Sequence, residues 1–280
     1  MTLRQQTGAG MMDCKKALAE CRGDIESAVK YLREKGLLAA KKRADRVAKE
    51  GTVVIRSNED RTVWAIVEVN CETDFVARNE EFIALADQLA MQALKLDVLK
   101  AQNQTIPLEA FDLSGLKAFA GKVGENLSMS RAAVFYRHDN NIVESYIHPG
   151  SQLGVIVEVQ GDASAIKSNA ASELAHDLAL QIAAAAPLYI KRDEVPPEVL
   201  EKEKEIYINQ MRNEGKPEAI LEKIAIGKLN KFFEDNCLIE QLYVKEAKQK
   251  VSQRIAEGAK AANGALYVSQ FIRFKVGDSR

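Results

Sequence analysis

Apolar and polar residues change period several times along this chain, and each change predicts an element. From Met11 to Cys21 the apolar positions Met11, Cys14, Ala17, Leu18 and Cys21 recur at helical spacing. Asp24 then precedes Ile25, Ala28, Val29 and Leu32, a capped second helix for which Gly36 is the expected stop. Thr52 to Arg56 and Val63 to Val69 carry β-branched residues on either side of the turn cluster Ser57-Asn58-Glu59-Asp60, which predicts a β-hairpin. Asn79, followed by Glu80 and Glu81, opens a helix whose inward stripe is Phe82, Leu85, Ala86, Leu89, Ala93 and Leu96. Thr73 to Arg78 forms the corner between strand and helix. Helical spacing returns at Val199 to Met211 and at Ala219 to Phe233, with Asn213-Glu214-Gly215-Lys216-Pro217 as the turn between two antiparallel helices. Tyr243 to Ile255, rich in lysine and glutamine, is expected to run on helically, and Leu266 to Val276 to end the chain as a strand.

One internal repeat ties these elements together. Ile66-Val67-Glu68-Val69 returns as Ile156-Val157-Glu158-Val159, an offset of 90, and Leu85-Ala86-Asp87-Gln88-Leu89-Ala90-Met91-Gln92 returns as Leu174-Ala175-His176-Asp177-Leu178-Ala179-Leu180-Gln181, an offset of 89. A strand-then-helix unit therefore occurs twice, which predicts an α+β fold with a pseudo-duplicated core of antiparallel hairpins backed by helices. The expected organisation is an N-terminal helical domain and linker over residues 1–50 and two core halves over 51–140 and 141–196. A helical hairpin inserted at 197–235 follows, then a return to the core over 236–280.

Composition narrows the chemistry. The 280 residues carry 39 basic and 40 acidic side chains, so no global field draws the chain to nucleic acid or anionic lipid. Locally, residues 1–50 hold 12 Lys or Arg against 7 Asp or Glu, and residues 191–260 hold 14 of each sign, interspersed. Cys14, Cys21, Cys71 and Cys237 make no C-x-x-C pair, so free thiols in a reducing compartment are expected. No apolar run has the length of a membrane helix, and the start lacks the apolar segment of a signal peptide; a cytoplasmic protein is expected. His138, His148 and His176 have no metal-ligand spacing. Gly8-Ala9-Gly10 lacks a dinucleotide fingerprint, Gly121-Lys122 lacks the Ser or Thr of a phosphate loop, and no G-x-S-x-G elbow occurs. Asn103-Gln104-Thr105 fits a glycosylation sequon without meaning in an unsecreted chain. These readings predict no cofactor, no metal and no enzyme activity.

Two features read as surfaces for a partner. Met11 and Met12 are adjacent at a helix start, where either both pack inside the small domain or one is left as a contact; spacing alone favours packing. Thr73-Asp74-Phe75-Val76 sets an acid and two apolar residues at a corner. By itself that pattern favours Phe75 folding back as a hydrophobic staple. Asp74 has Arg78 four residues on as an ion-pair partner, and can also cap the corner.

The wording of these segments goes further than their spacing. Thr7-Gly8-Ala9-Gly10-Met11-Met12-Asp13-Cys14-Lys15-Lys16-Ala17-Leu18 and Glu68-Val69-Asn70-Cys71-Glu72-Thr73-Asp74-Phe75-Val76-Ala77 closely resemble the two signature motifs of the bacterial translation elongation factor Ts family. The resemblance extends to Gly23-Asp24-Ile25-Glu26, Gly124-Glu125-Asn126-Leu127, Glu214-Gly215-Lys216-Pro217 and Phe271-Ile272-Arg273-Phe274, nearly the whole chain. It implies a guanine-nucleotide exchange factor that opens elongation factor Tu, a GTPase, and releases its GDP. It also implies a ubiquitin-associated-like N-terminal domain of three helices, a two-part α+β core and an inserted antiparallel coiled coil.

Residue by residue, the resemblance implies that Thr73, Asp74, Phe75 and Val76 intrude between helices of the GTPase domain, with Asp74 and Phe75 as the wedge. It implies that Met11 and Met12 pack on another GTPase helix, and that His148, in Tyr146-Ile147-His148-Pro149-Gly150, approaches the partner's third domain. No direct nucleic-acid contact and no membrane are implied, and a 2:2 assembly with the partner is among the arrangements it allows. The rival class, a nucleic-acid-binding module, has the basic N-terminal segment in its favour, but Tyr31 is the lone aromatic residue before position 50. The resemblance departs at the start. Family members begin earlier, with an amphipathic helix leading into Leu-Arg-x-x-Thr-Gly, so most of a first helix is expected to be missing here. Either the true start lies upstream or the N-terminal domain has two helices.

Overall fold

The structure, a computed structural model, describes residues 2–7, 9–44, 46–96 and 105–278. Gly8 and most of the Asn103-Gln104-Thr105 sequon lie outside the described residues. The chain is a mixture of helices and antiparallel sheet, an α+β fold, and divides into two compact units. The first comprises residues 1–136, 147–154 and 274–280; the second comprises residues 137–146 and 155–273.

The first unit opens with three helices, α1 (Thr2–Thr7), α2 (Met11–Glu20) and α3 (Ile25–Ala44). α1 is a short helix, and Leu3 on it is buried against Cys14, Ala17 and Ala28. α2 stops in a Schellman turn: the N–H of Gly23 donates to the carbonyl of Leu18 at 2.8 Å, and Arg22 and Gly23 both have positive φ. Asp24 caps α3 by accepting from the N–H of Ser27 at 2.9 Å. Gly36 does not end α3. Leu37 to Ala44 are strong helix formers, and their combined propensity outweighs the cost of one interior glycine, about 1 kcal/mol.

The hairpin is β1 (Glu50–Ser57) and β2 (Val63–Cys71), paired from Glu50 opposite Cys71 to Ser57 opposite Trp64. The Asn58 side chain organises its turn by accepting from the N–H groups of Thr62 and Val63. After β2 come the one-turn α4 (Asp74–Ala77), α5 (Glu80–Ala93), capped by the Asn79 side chain, and α6 (Ser114–Val123). β3 (Ser128–Tyr136) then pairs antiparallel with β2, so β2 is the central strand of a β1-β2-β3 sheet and is buried on both faces. Phe82, Ala86, Leu89 and Ala93 of α5 close one face of this sheet over Val54, Val67 and Val69.

β4 (Asn141–Ile147), β5 (Leu153–Gly161) and the chain-terminal β8 (Leu266–Lys275) form a second sheet in the order β4-β5-β8. Both copies of Ile-Val-Glu-Val therefore occupy central strands, β2 and β5. Their glutamates are buried and answered by neighbours: Glu68 accepts from Arg131, Asn70 and the N–H of Gly277, and Glu158 accepts from Gln160, Ser269 and Gln270.

In the second unit α7 (Asn169–Ala185) carries the repeated helix motif. The hairpin α8 (Pro197–Asn213) and α9 (Glu218–Asn236) turns at Gly215 (φ +75°) around Met211, Leu221 and Ala225. Contacts from Lys204 to Glu222 and from Arg212 to Glu218 run in opposite chain directions, the signature of antiparallel helices. At its root Arg192 makes two hydrogen bonds to the Glu240 carboxylate and lies over the ring of Phe233. The lysine- and glutamine-rich segment departs from the expected helix. It first forms the strands β6 (Leu242–Tyr243) and β7 (Glu246–Lys250), and only Val251–Ala261 is helical, as α10.

Candidate partner-binding site

α4 is positioned by both of its neighbours in sequence. Its N-cap, Thr73, has extended backbone, and its hydroxyl accepts from the N–H of Val76 at 3.4 Å. Val76 points inward and joins the core under α5. With Val76 inside, the 3.6-residue period turns the preceding Phe75 outward, where it is 83% exposed. The staple that spacing alone favoured does not form. Asp74 is held by Arg78, Oδ2 to Nη2 at 3.1 Å, and the capping role belongs to Thr73 instead.

The loop between α6 and β3 braces this corner. Gly124 ends α6 in the left-handed region, at φ +78°, and swings Glu125 toward Thr73. The Glu125 carboxylate accepts from the N–H of Glu72 at 3.0 Å, the N–H of Thr73 at 3.1 Å and the Thr73 hydroxyl at 2.6 Å. Glu72 returns the contact, accepting from the N–H of Asn126 at 2.6 Å with Arg46 at 3.5 Å. Cys71 donates its thiol to the Thr73 carbonyl at 3.1 Å. Burial, reinforced by the charges of Glu125 and Glu50, pushes that thiol up from 9.0 to about 12, so it remains a neutral donor.

Glu125 escaped the residue-by-residue reading, although a signal was present. A carboxylate just past a helix C-terminus faces the negative end of the macrodipole, so its placement there calls for specific donors nearby.

The other expected contacts lie on separate elements of the same unit. Met11 and Met12, at the start of α2, are 69% and 75% exposed, so neither packs into the helical core. Among the described residues that core is Leu3, Cys14, Ala17 and Ala28, with Leu18, Val29, Tyr31 and Leu32 packed against it, and the methionines stay outside. His148 stands in the exposed turn between β4 and β5. Its N–H donates to the Leu153 carbonyl and its own carbonyl accepts from Ser151.

The repeat provides an internal comparison. Carrying the offset of 90 past β5 sets Asp162-Ala163-Ser164-Ala165-Ile166 against Glu72 to Val76. There Ala165 and Ile166 are both buried, Asp162 is tied to the backbone of Ala265, and Ser168 caps α7. Of the two connectors, the one after β2 carries an outward aromatic.

Among the described residues no group of His, Cys, Asp and Glu could hold a metal ion, and no helix is long and apolar enough to cross a membrane. Fold and corner define a class of protein: an α+β chain with a recurring strand-and-helix unit that presents an exposed apolar residue on a braced turn. Residues 72–278, beginning at the corner itself, match the family described as Elongation factor TS. Over 279 residues the chain is 48% identical to an elongation factor Ts of Clostridium botulinum (strain Alaska E43 / Type E3), covering 99% of this chain and 91% of that one. It is 44% identical over 281 residues to an elongation factor Ts of Chlorobium phaeobacteroides, covering 98% and 96%. The chain belongs to the elongation factor Ts family.

Proposed function

We propose that this chain is a guanine-nucleotide exchange factor of translation elongation, which binds the GDP-bound GTPase elongation factor Tu in the cytoplasm and promotes release of GDP. The observation that carries this reading is Phe75, 83% exposed on a turn whose every other side is pinned. Exposed phenylalanines on loose loops lose rotamer and backbone freedom on binding, whereas this one is already placed. A nucleotide held with nanomolar affinity corresponds to about 12 kcal/mol, and burying one phenylalanine yields about 1.5–3 kcal/mol, a factor of roughly 10 to 150. Phe75 with Asp74 is therefore the displacing element of a larger interface, to which Met11, Met12 and His148 contribute. Val76 serves as the anchor of the corner rather than as a contact. In this reading residues 1–50 are a ubiquitin-associated-like docking domain, the two α+β halves hold the wedge, and α8–α9 is a coiled-coil arm.

Exchange needs no covalent chemistry. Coupling between two ligands of one protein is reciprocal, so a factor that weakens GDP binding is itself weakened by GDP to the same degree. The test is release of a fluorescent GDP analogue from purified elongation factor Tu. Substoichiometric amounts of this chain should accelerate release many-fold and turn over; an unchanged release rate at saturating chain overturns the reading.

A further inference from the structure

The corner is a single turn of four residues, far too short to sustain helical geometry by itself. Its one side-chain cap is the Thr73 hydroxyl, which has one proton and accepts from the Val76 N–H. Glu125 takes that proton at 2.6 Å, so the hydroxyl keeps its lone pairs for the helix. The same carboxylate also gathers the N–H groups of Glu72 and Thr73, two donors at the end of β2 whose own strand pairing has finished. Glu72, reaching the other way to the N–H of Asn126, makes the clasp double: each loop lends its carboxylate to the other loop's backbone.

We propose that Glu125 is a positioning residue for nucleotide release, acting through Thr73 to hold Phe75 and Asp74 at the angle at which they enter the partner. The proposal rests on the exchange reading above. Losing the clasp frees the Thr73 hydroxyl and two backbone donors to water, and α4 then samples other conformations. The apolar payload of the corner is unchanged, but its preorganisation is gone. The defect therefore belongs to the step in which nucleotide is displaced, more than to docking, which other surfaces supply.

The test is a double-mutant cycle on GDP release from elongation factor Tu, using full-length variants whose folding is checked by circular dichroism and melting. Glu125→Ala should slow release at saturating factor by about tenfold while changing the half-saturating concentration by less than about threefold. Glu125→Gln keeps one acceptor oxygen but sets an NH2 where the carboxylate accepts, so it should slow release by less than Glu125→Ala while still falling short of the parent. Adding Glu125→Ala to Phe75→Ala should slow release by much less than about tenfold further, because Phe75, one of the two positioned groups, is already absent. In the free protein the Val76 amide should exchange faster in Glu125→Ala.

A normal rate in Glu125→Ala, or losses that multiply in the double variant, overturns the positioning role while leaving the exchange reading in place. A normal rate in Phe75→Ala overturns the wedge itself and this proposal with it. Should Glu125→Ala fail to fold, Thr73→Val takes its place in the cycle under the same criteria.

Discussion

Phe75 and Phe82 sit on neighbouring helices with opposite fates, one 83% exposed and one fully buried. Truncating a buried phenylalanine removes core contacts and leaves a cavity, so Phe82→Ala should cost about 3–5 kcal/mol of stability. Phe75→Ala removes almost no intramolecular contact, and its effect on stability should stay within about 0.5 kcal/mol. If the corner is the wedge, the functional order is reversed: Phe75→Ala slows GDP release by one to two orders of magnitude at saturating factor. Thermal melts and stopped-flow release on the same two variants check both halves. A large stability loss in Phe75→Ala with unchanged release would return this residue to the staple role that its spacing first favoured. The two methionines show why spacing misled: among the described residues Leu18, Val29, Tyr31 and Leu32 already pack around Leu3, Cys14, Ala17 and Ala28, and both methionines stay outside.

Among the elements, the α8–α9 hairpin is the most separable. Below it the chain is already sewn together: Leu188 and Tyr189 donate to the Asn236 carbonyl, and Arg192 grips Glu240. Replacing residues 197–235 by a short glycine linker should therefore leave the rest of the second unit folded. The expected result is a higher half-saturating concentration for GDP release, with the rate at saturation falling far less than in Phe75→Ala. A folded deletion variant that releases no GDP at any concentration would place the hairpin in the displacement step.

Most elements of this kind were legible in the sequence because their apolar periods are long. The β1–β2 hairpin, α5, the α8–α9 pair and β8 all follow the expected stripes. Where the period is short, or one residue type dominates, legibility ended. The Glu246–Lys250 strand carries no apolar alternation, and its pairing with Leu242–Tyr243 is a matter of backbone. Gly36 carried a stop signal that the helix formers after it overrode. The Glu125 clasp joins segments far apart in sequence through carboxylate-to-backbone bonds, which leave no periodic trace.

For the molecule as a whole, pH exposes which polar groups the fold depends on. Burial pushes the Asp177 carboxyl up, but hydrogen bonds from Lys245, Tyr243 and Arg254 outweigh it and hold the group below the usual carboxylate range. A depressed folded value means that this group stabilises the fold above its unfolded pKa, about 3.9, and that the contribution is lost as pH falls through the folded value. Cys71 and Cys237 act at the other end. Burial raises them from 9.0 to about 12 and about 11, so the unfolded thiols ionise first and stability is lost as pH rises from about 9 through those values. Urea melts between pH 7 and 11 should show this alkaline decline, and Cys71→Ala should flatten part of it. A decline of equal slope in Cys71→Ala would assign it to other groups.

The two connectors of the repeat have a consequence for how such a protein can change over time. Ala165 and Ile166, in the connector after β5, are core, so most substitutions there cost packing before they alter any surface. In the connector after β2 the core is served by Val76 and the geometry by Thr73, which leaves the outward position, Phe75, nearly free of folding constraint. Duplication of a strand-and-helix unit thus separates two kinds of heredity. At one connector the need to fold limits what can change, while at the other a single outward side chain can be exchanged without the fold being tested each time.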